Sequence, residues 1–248
     1  MGKIITIAAQ KGGVTKTTIA VNLAHALTLL GKKVVLLDLD SQGQCATRLG
    51  FDPTSSAFNF LSGQSYELIP ALEGLYLIAS NSSLIKTEQW GGERVSGAVE
   101  RIRDLAKDYA YLIIDTPPAG IRQEIGLLVA DTLIVPVLCE SPSMEGVANI
   151  LDLAESISHY QQLIIVPSNY DKRWPEHEYN VGILRERFGG GSILSPILRR
   201  LAMAEATAYG ATCFNYDARK KDLQPIRDSY MDLATWVIET PEDALLGE

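Results

Sequence analysis

The 248-residue sequence predicts an α/β fold, a mostly parallel twisted sheet with helices on both faces, built as a single domain over residues 1–248. Three observations carry this. Apolar strand-like runs alternate repeatedly with amphipathic stretches, the pattern of right-handed βαβ units. The strand candidates are continuous β-branched runs rather than alternating ones, as expected for strands buried on both faces. A glycine-containing turn joins the first strand candidate to the first helix candidate, a connection suited to anion binding. Hydrophobic residues at 46% and charged residues at 21% are ordinary for a globular chain. A chain of this length buries roughly three quarters of its unfolded surface. No repeat, low-complexity tract or linker divides it.

Residues 4–9, Ile-Ile-Thr-Ile-Ala-Ala, form the first predicted strand and residues 18–30 the first helix, closed by Gly31. The second strand is Lys-Val-Val-Leu-Leu at 33–37. Residues 47–89 are more polar, with glycines and serines that suggest loops around one short strand at 75–78. A helix is predicted over 95–107, where Val95, Ala98, Val99, Ile102 and Leu105 recur at spacings of three and four. Strands follow at 110–114 and 132–138, with a short packed helix at 123–130 between them. Further helices are expected at 143–159, 176–188 and 223–238, with a strand at 163–166.

The chemistry begins at Lys3–Thr18, KIITIAAQKGGVTKTT. Gly12 and Gly13 allow a tight turn with no Cβ to block a ligand, so backbone N–H groups can converge on an anion. Lys16 adds a mobile positive charge and Thr17 a hydroxyl. The helix from Thr18 then points its unpaired N–H groups and partial positive charge at the same place. The ordinary G-x-x-x-x-G-K-[ST] pattern is not met, because Gln10 and Thr15 stand where its glycines belong. The segment reads instead as K-G-G-x-x-K-T-T. It resembles the deviant Walker A box of the ParA/MinD family of ATPases.

That resemblance runs from Lys3 to about Ile238 and implies a P-loop fold that binds ATP and Mg²⁺. It implies nucleotide contacts from Lys11, Gly12, Gly13, Val14, Thr15, Lys16, Thr17 and Thr18, with Lys11 reaching across a homodimer interface to the partner's nucleotide. Thr15 replaces the family's common glycine. At a position of positive φ, a β-branched residue there is strained.

Asp38-Leu39-Asp40-Ser41-Gln42-Gly43-Gln44 follows the second strand, where loops beyond strand C-termini share one crevice. It is similar to the family's D-x-D-P-Q-G-N segment, with Ser41 for the proline and Gln44 for the asparagine. The likeness implies that Asp40 orients the attacking water and that Asp38 helps hold that water or the hydrated metal. Phosphoryl transfer rewards positioning and charge stabilisation of this sort. Asp115 ends a buried apolar strand, and an acid there needs a partner. A hydrated Mg²⁺ ligated directly by Thr17 and reached through water by Asp115 supplies one. Asp115-Thr116-Pro117-Pro118 also matches the family's D-x-P-P loop, which senses the γ-phosphate.

Asn169 lies where the family places a base-contacting asparagine, and an amide matches both polar edges of adenine. Pro196 corresponds to the family's second base-flanking loop. Arg199, Arg200, Arg219, Lys220 and Lys221, joined by Arg227, fall at or near positions that contact DNA backbone in ParA-like proteins. Such contacts give sequence-independent, salt-sensitive affinity. A solvated helix face accounts for the same mixture, because Glu205, Asp217, Asp222 and Asp228 are interspersed.

The net charge of −8 and pI near 5.0 count against nucleic-acid binding by the chain as a whole. Cys45, Cys139 and Cys213 are odd in number and far apart, which fits a reducing cytosol and neither a disulfide framework nor an iron–sulfur cluster. Cys139 reads as a small apolar residue, and His25, His159 and His177 show no metal-ligand spacing. No apolar run is long enough for a transmembrane helix, no leader is evident, and no helix-turn-helix segment precedes the first strand.

Three functions stay open. The first is a cytoplasmic, nucleoid-associated ATPase that dimerises with ATP, binds non-specific DNA and positions a plasmid, chromosome locus or protein cargo. A ParB-like or adaptor partner on the cargo would stimulate its hydrolysis. The second is a MinD-like membrane-cycling ATPase, which the acidic, proline-containing end at 240–248 fits poorly. The third is a metabolic relative such as a synthetase.

Overall fold

The structure, a computed structural model, describes residues 2–140, 144–217 and 223–239. The first half runs β1 (Lys3–Ile7), α1 (Lys16–Leu29), β2 (Val34–Asp38), α2 (Gln44–Arg48), α3 (Ser56–Leu61), β3 (Ile69–Leu72) and β4 (Leu75–Ile78). A 3-10 stretch at Ser82–Gln89 leads into α4 (Gly92–Ala106), β5 (Tyr111–Asp115), α5 (Ile121–Leu128) and β6 (Thr132–Leu138). Then come α6 (Met144–Ile157), β7 (Gln162–Ser168), α7 (Pro175–Phe188), α8 (Leu201–Ala208) and α9 (Gln224–Glu239).

The strands form one sheet in the order β3-β4-β2-β5-β1-β6-β7. Every neighbouring pair is parallel except β3 with β4. Successive side chains of a strand face opposite sides, and here both sides are covered. Ile5, Ile7, Leu36, Ile113 and Ile134 pack toward α1 and α9 with Leu23, Leu27 and Leu233. Ile4, Val35, Leu37, Leu112 and Ile114 pack on the other side with Ala98, Ile102 and Ile125. This two-sided burial explains why the strands read as unbroken apolar runs.

The stretch 47–89 is more ordered than its composition implies. It contributes α3, β3, the 3-10 stretch and the expected β4. Ala57, Phe60 and Leu61 of α3 are buried against Leu84 and Trp90, so tertiary packing holds a helix too short to stand alone. Residues 193–199 also depart from expectation. They run beside β7, with Leu194 N–H donating to Ile165 C=O and Ile197 N–H to Pro167 C=O. The C-terminal tips of β1, β2, β5, β6 and β7 all open on one edge, and the loops that follow them build the site.

Candidate functional site

The phosphate loop departs from β1 after two buried alanines and turns twice through the left-handed region, at Gly13 (φ 77°) and Thr15 (φ 68°). Neither Gly12 nor Gly13 would bring a Cβ within 4 Å of another atom, so the loop opens onto free space. Thr15 sits at the N-cap of α1 without making a side-chain cap, and no acid occupies the first turn. The N–H groups there remain available to an anion. The Thr15 hydroxyl donates instead to Ser168 Oγ, 2.9 Å away at the end of β7.

Lys16 is 7% exposed and folds back over the loop, Nζ donating to Lys11 C=O at 3.4 Å. Burial pushes its ammonium below the ordinary lysine range, while the charges of Asp115 and Asp40 oppose that shift. Lys11 stands exposed.

Asp38 and Asp115 lie opposite each other in the β2–β5 register, and both are fully buried. Asp38 Oδ1 accepts from Asp40 N–H at 2.9 Å and Oδ2 from Cys45 N–H at 3.1 Å. Both its oxygens are thus spent on the backbone of the loop that carries Asp40. Asp115 Oδ2 accepts weakly from Cys45 Sγ at 3.5 Å. Its Oδ1 is buried with no hydrogen bond of good geometry, although the nearby Thr17 hydroxyl and Lys16 ammonium favour its charged form. Burial raises both carboxyls above the ordinary range, and in Asp38 the neighbouring Asp115 charge adds to it. An orphaned carboxylate oxygen beside a threonine hydroxyl suits a hydrated divalent cation. The Asp40 carboxylate accepts from Gln42 N–H at 3.0 Å and lines the phosphate cavity.

Two cavities adjoin the loop. One of about 700 Å³ is lined by Gly12–Thr18, Asp40 and the 117–119 turn. The other, of about 370 Å³, is mostly apolar and includes Asn169, Ile197, Leu198, Met203 and Tyr230. Asn169 takes a left-handed backbone, φ 59°, and donates to Glu140 Oε1 at 2.6 Å. The same oxygen accepts from Arg199 Nη1 at 2.8 Å. Pro196 is not part of this lining, to which the neighbouring Ile197 and Leu198 contribute instead.

The family described as AAA domain matches residues 2–165. Soj of Thermus thermophilus, a chromosome-partitioning ATPase, is 31% identical over 249 residues, covering 97% of both chains. The chain belongs to the Soj/ParA family. The chromosome partitioning protein ParA of Caulobacter vibrioides is 30% identical, covering 97% of this chain and 96% of its own. Among solved structures, cobyrinic acid a,c-diamide synthase of Mycobacterium smegmatis with bound ADP and magnesium superposes with a TM-score of 0.80. It is 26% identical and aligns over 96% of this chain and 94% of its own.

On this Soj/ParA-type frame the basic residues separate. Arg199 and Arg200 line an open groove together with Lys172 and Arg173, two cations that sequence patterning did not single out. Arg173 forms a bidentate pair with Asp171, Nε donating to Oδ1 at 2.9 Å and Nη2 to Oδ2 at 2.6 Å. Arg227 is not a surface cation of this groove, since its Nε donates to Cys213 C=O at 2.7 Å and its Nη2 to Tyr216 C=O at 3.2 Å. Arg219, Lys220 and Lys221 lie outside the described residues, as does the 240–248 end.

Two further cations were missed. Arg122 of α5 is buried, donating from Nη2 to Glu88 Oε1 at 2.9 Å and from Nη1 to Leu39 C=O at 3.3 Å beside the Asp40 loop. Arg48 lies between the two cavities. Neither sits in a recognisable motif, so only the fold brings them to the site. Cys45, Cys139 and Cys213 are all buried thiols. Among the described residues no helix is long and apolar enough to cross a membrane.

Proposed function

We propose that this chain is a nucleotide-switched positioning ATPase, which binds ATP with Mg²⁺, dimerises on it, holds non-specific DNA in that state and releases it after hydrolysis. One observation carries the reading: a buried Lys16 sits at the uncapped start of α1 within the field of Asp40 and Asp115, while Lys11 stands exposed at the loop's edge. The base would enter the apolar cavity beside Asn169. Gly12 to Thr18 would wrap the phosphates, and Lys16 would meet their terminal oxygens.

Thr17, and Asp115 through water, would hold the magnesium ion, which when bound neutralises phosphate charge. Asp40 would orient the attacking water. Asp38 supports this from beneath, its oxygens holding the Asp40 and Cys45 backbone. Lys11 would complete the partner's site in the dimer. Arg199 and Arg200, with Arg219, Lys220 and Lys221, would contact DNA phosphates, and an adaptor of ParB type on the cargo would stimulate turnover at the nucleoid.

The synthase likeness favours a second reading, in which the same cradle activates a small substrate. Binding to random-sequence duplex DNA, followed by anisotropy with ATP and Mg²⁺, with ADP and without nucleotide at two salt concentrations, separates the two. Binding with ATP alone that weakens as salt rises is expected. No DNA binding in any state, with ATP still bound, rejects the DNA-based positioning function and leaves the synthetase and membrane-cycling readings.

A further inference from the structure

We propose that Arg48 is a nucleotide-contact residue whose guanidinium takes the α-phosphate of a bound adenine nucleotide. This rests on the nucleotide-binding reading above and assigns a residue outside the phosphate loop to it.

The position comes from the cavities. Among the described residues, only Thr15, Thr18 and Arg48 line both the apolar cavity and the phosphate cavity. A nucleotide with its base in one and its terminal phosphates in the other must cross this junction with its ribose and α-phosphate. Arg48, the last residue of α2, reaches the junction from the loop side.

Its present partners are all neutral. Nη1 donates to Thr18 Oγ1 at 3.0 Å and to Thr207 Oγ1 at 3.4 Å, and Nη2 donates to Gln44 Oε1 at 3.2 Å. Nε is buried and has no partner. No carboxylate pairs with Arg48 among the described residues. A guanidinium that is partly buried without an anion is incomplete, and its planar fork matches a phosphate in two places at once. A tie between α1, α2 and α8 through hydroxyls alone would not need the charge.

The contact has a mechanical consequence. The turn 39–43, which carries Asp40, runs directly into α2, and Asp38 ties the two together by accepting from Asp40 N–H in the turn and Cys45 N–H in α2. Arg48 would therefore fasten the far end of α2 to any nucleotide with an α-phosphate, ADP and AMP included. It would let the Asp40 loop register occupancy before and after hydrolysis.

The test is competition of ADP, AMP and adenosine against a fluorescent ADP analogue on the full chain, for the wild type, Arg48→Met and Arg48→Gln. Loss of one charge-assisted contact should weaken ADP and AMP roughly ten- to a hundredfold and leave adenosine unchanged, so the AMP-to-adenosine preference collapses. Arg48→Gln, which keeps polar reach toward Thr18 without charge, should behave alike and stands in if methionine unfolds the chain. AMP and adenosine weakening together would make Arg48 a wall of the cavity only and overturn the assignment, as would unchanged AMP affinity. A wild type that binds no ADP would sink the nucleotide reading itself, and this proposal with it.

Discussion

Thr15 occupies the left-handed region at φ 68°, where a β-branched side chain costs about 1–2 kcal/mol. Its hydroxyl bond to Ser168, which in turn donates to Val137 C=O at 3.2 Å, offsets part of that. Replacing the hydroxyl by a methyl keeps the strain and removes the compensation. Thr15→Val should therefore lower unfolding free energy by about 1 kcal/mol, and Thr15→Gly, which removes both, should fall within about 0.5 kcal/mol of the wild type. Urea denaturation of the two variants checks this, and a Thr15→Val variant as stable as the wild type would mean the Ser168 bond contributes nothing. The departure at Thr15 was legible in the sequence, because the motif around it is short and local. Its partner 153 positions away was not, and neither was Arg48, since a lone arginine has no pattern until the chain folds.

Elements built on long buried runs were readable from the residues alone. β1, β2, β5, β6 and β7 are apolar on both faces, and α4 buries Ala98, Ile102 and Ala106 at the helical spacing of four. α3, β3 and α8 were not readable. They are four to eight residues long, and packing rather than propensity holds them. The same distinction decides what a methyl group does within a helix. At Gly126 of α5 an added Cβ would lie 2.7 Å from Thr116 Cγ2 and 3.2 Å from Thr6 Cγ2. The Gly126 carbonyl is also fixed by the Thr6 hydroxyl at 2.6 Å. Gly126→Ala should cost about 1–3 kcal/mol by overpacking. Gly182 of α7 has nothing within 4 Å, so Gly182→Ala should add about 0.5–1 kcal/mol. Thermal melts of both variants read the difference, and a Gly126→Ala variant that melts no lower than the wild type would contradict the packing described for α5.

For the whole molecule, buried titratable groups set how stability follows pH. Burial holds His25 down to about 4, where its Nδ1 meets Thr212 Oγ1 at 2.6 Å. The fold favours the neutral ring, so this contribution is complete above the unfolded value near 6.5 and is lost as pH falls through about 4. Asp38 and Asp115 act in the opposite sense: their raised pKa values contribute below the ordinary carboxylate range and the contribution fades as pH rises. Comparison with His25→Gln, which cannot titrate there, isolates the histidine. Between pH 7 and pH 4.5 the wild type should lose about 2 kcal/mol more than the variant, measured by urea unfolding. Parallel pH profiles would show that His25 takes up its proton without strain.

The sheet margins carry one more consequence. At one margin Pro70 withholds a donor and the ladder is irregular between Pro70 and Leu72; at the other, residues 193–199 lie along β7. Neither side is an open template for a neighbour's strand. Crowded copies of this chain are thus steered away from fibrous, strand-to-strand stacking.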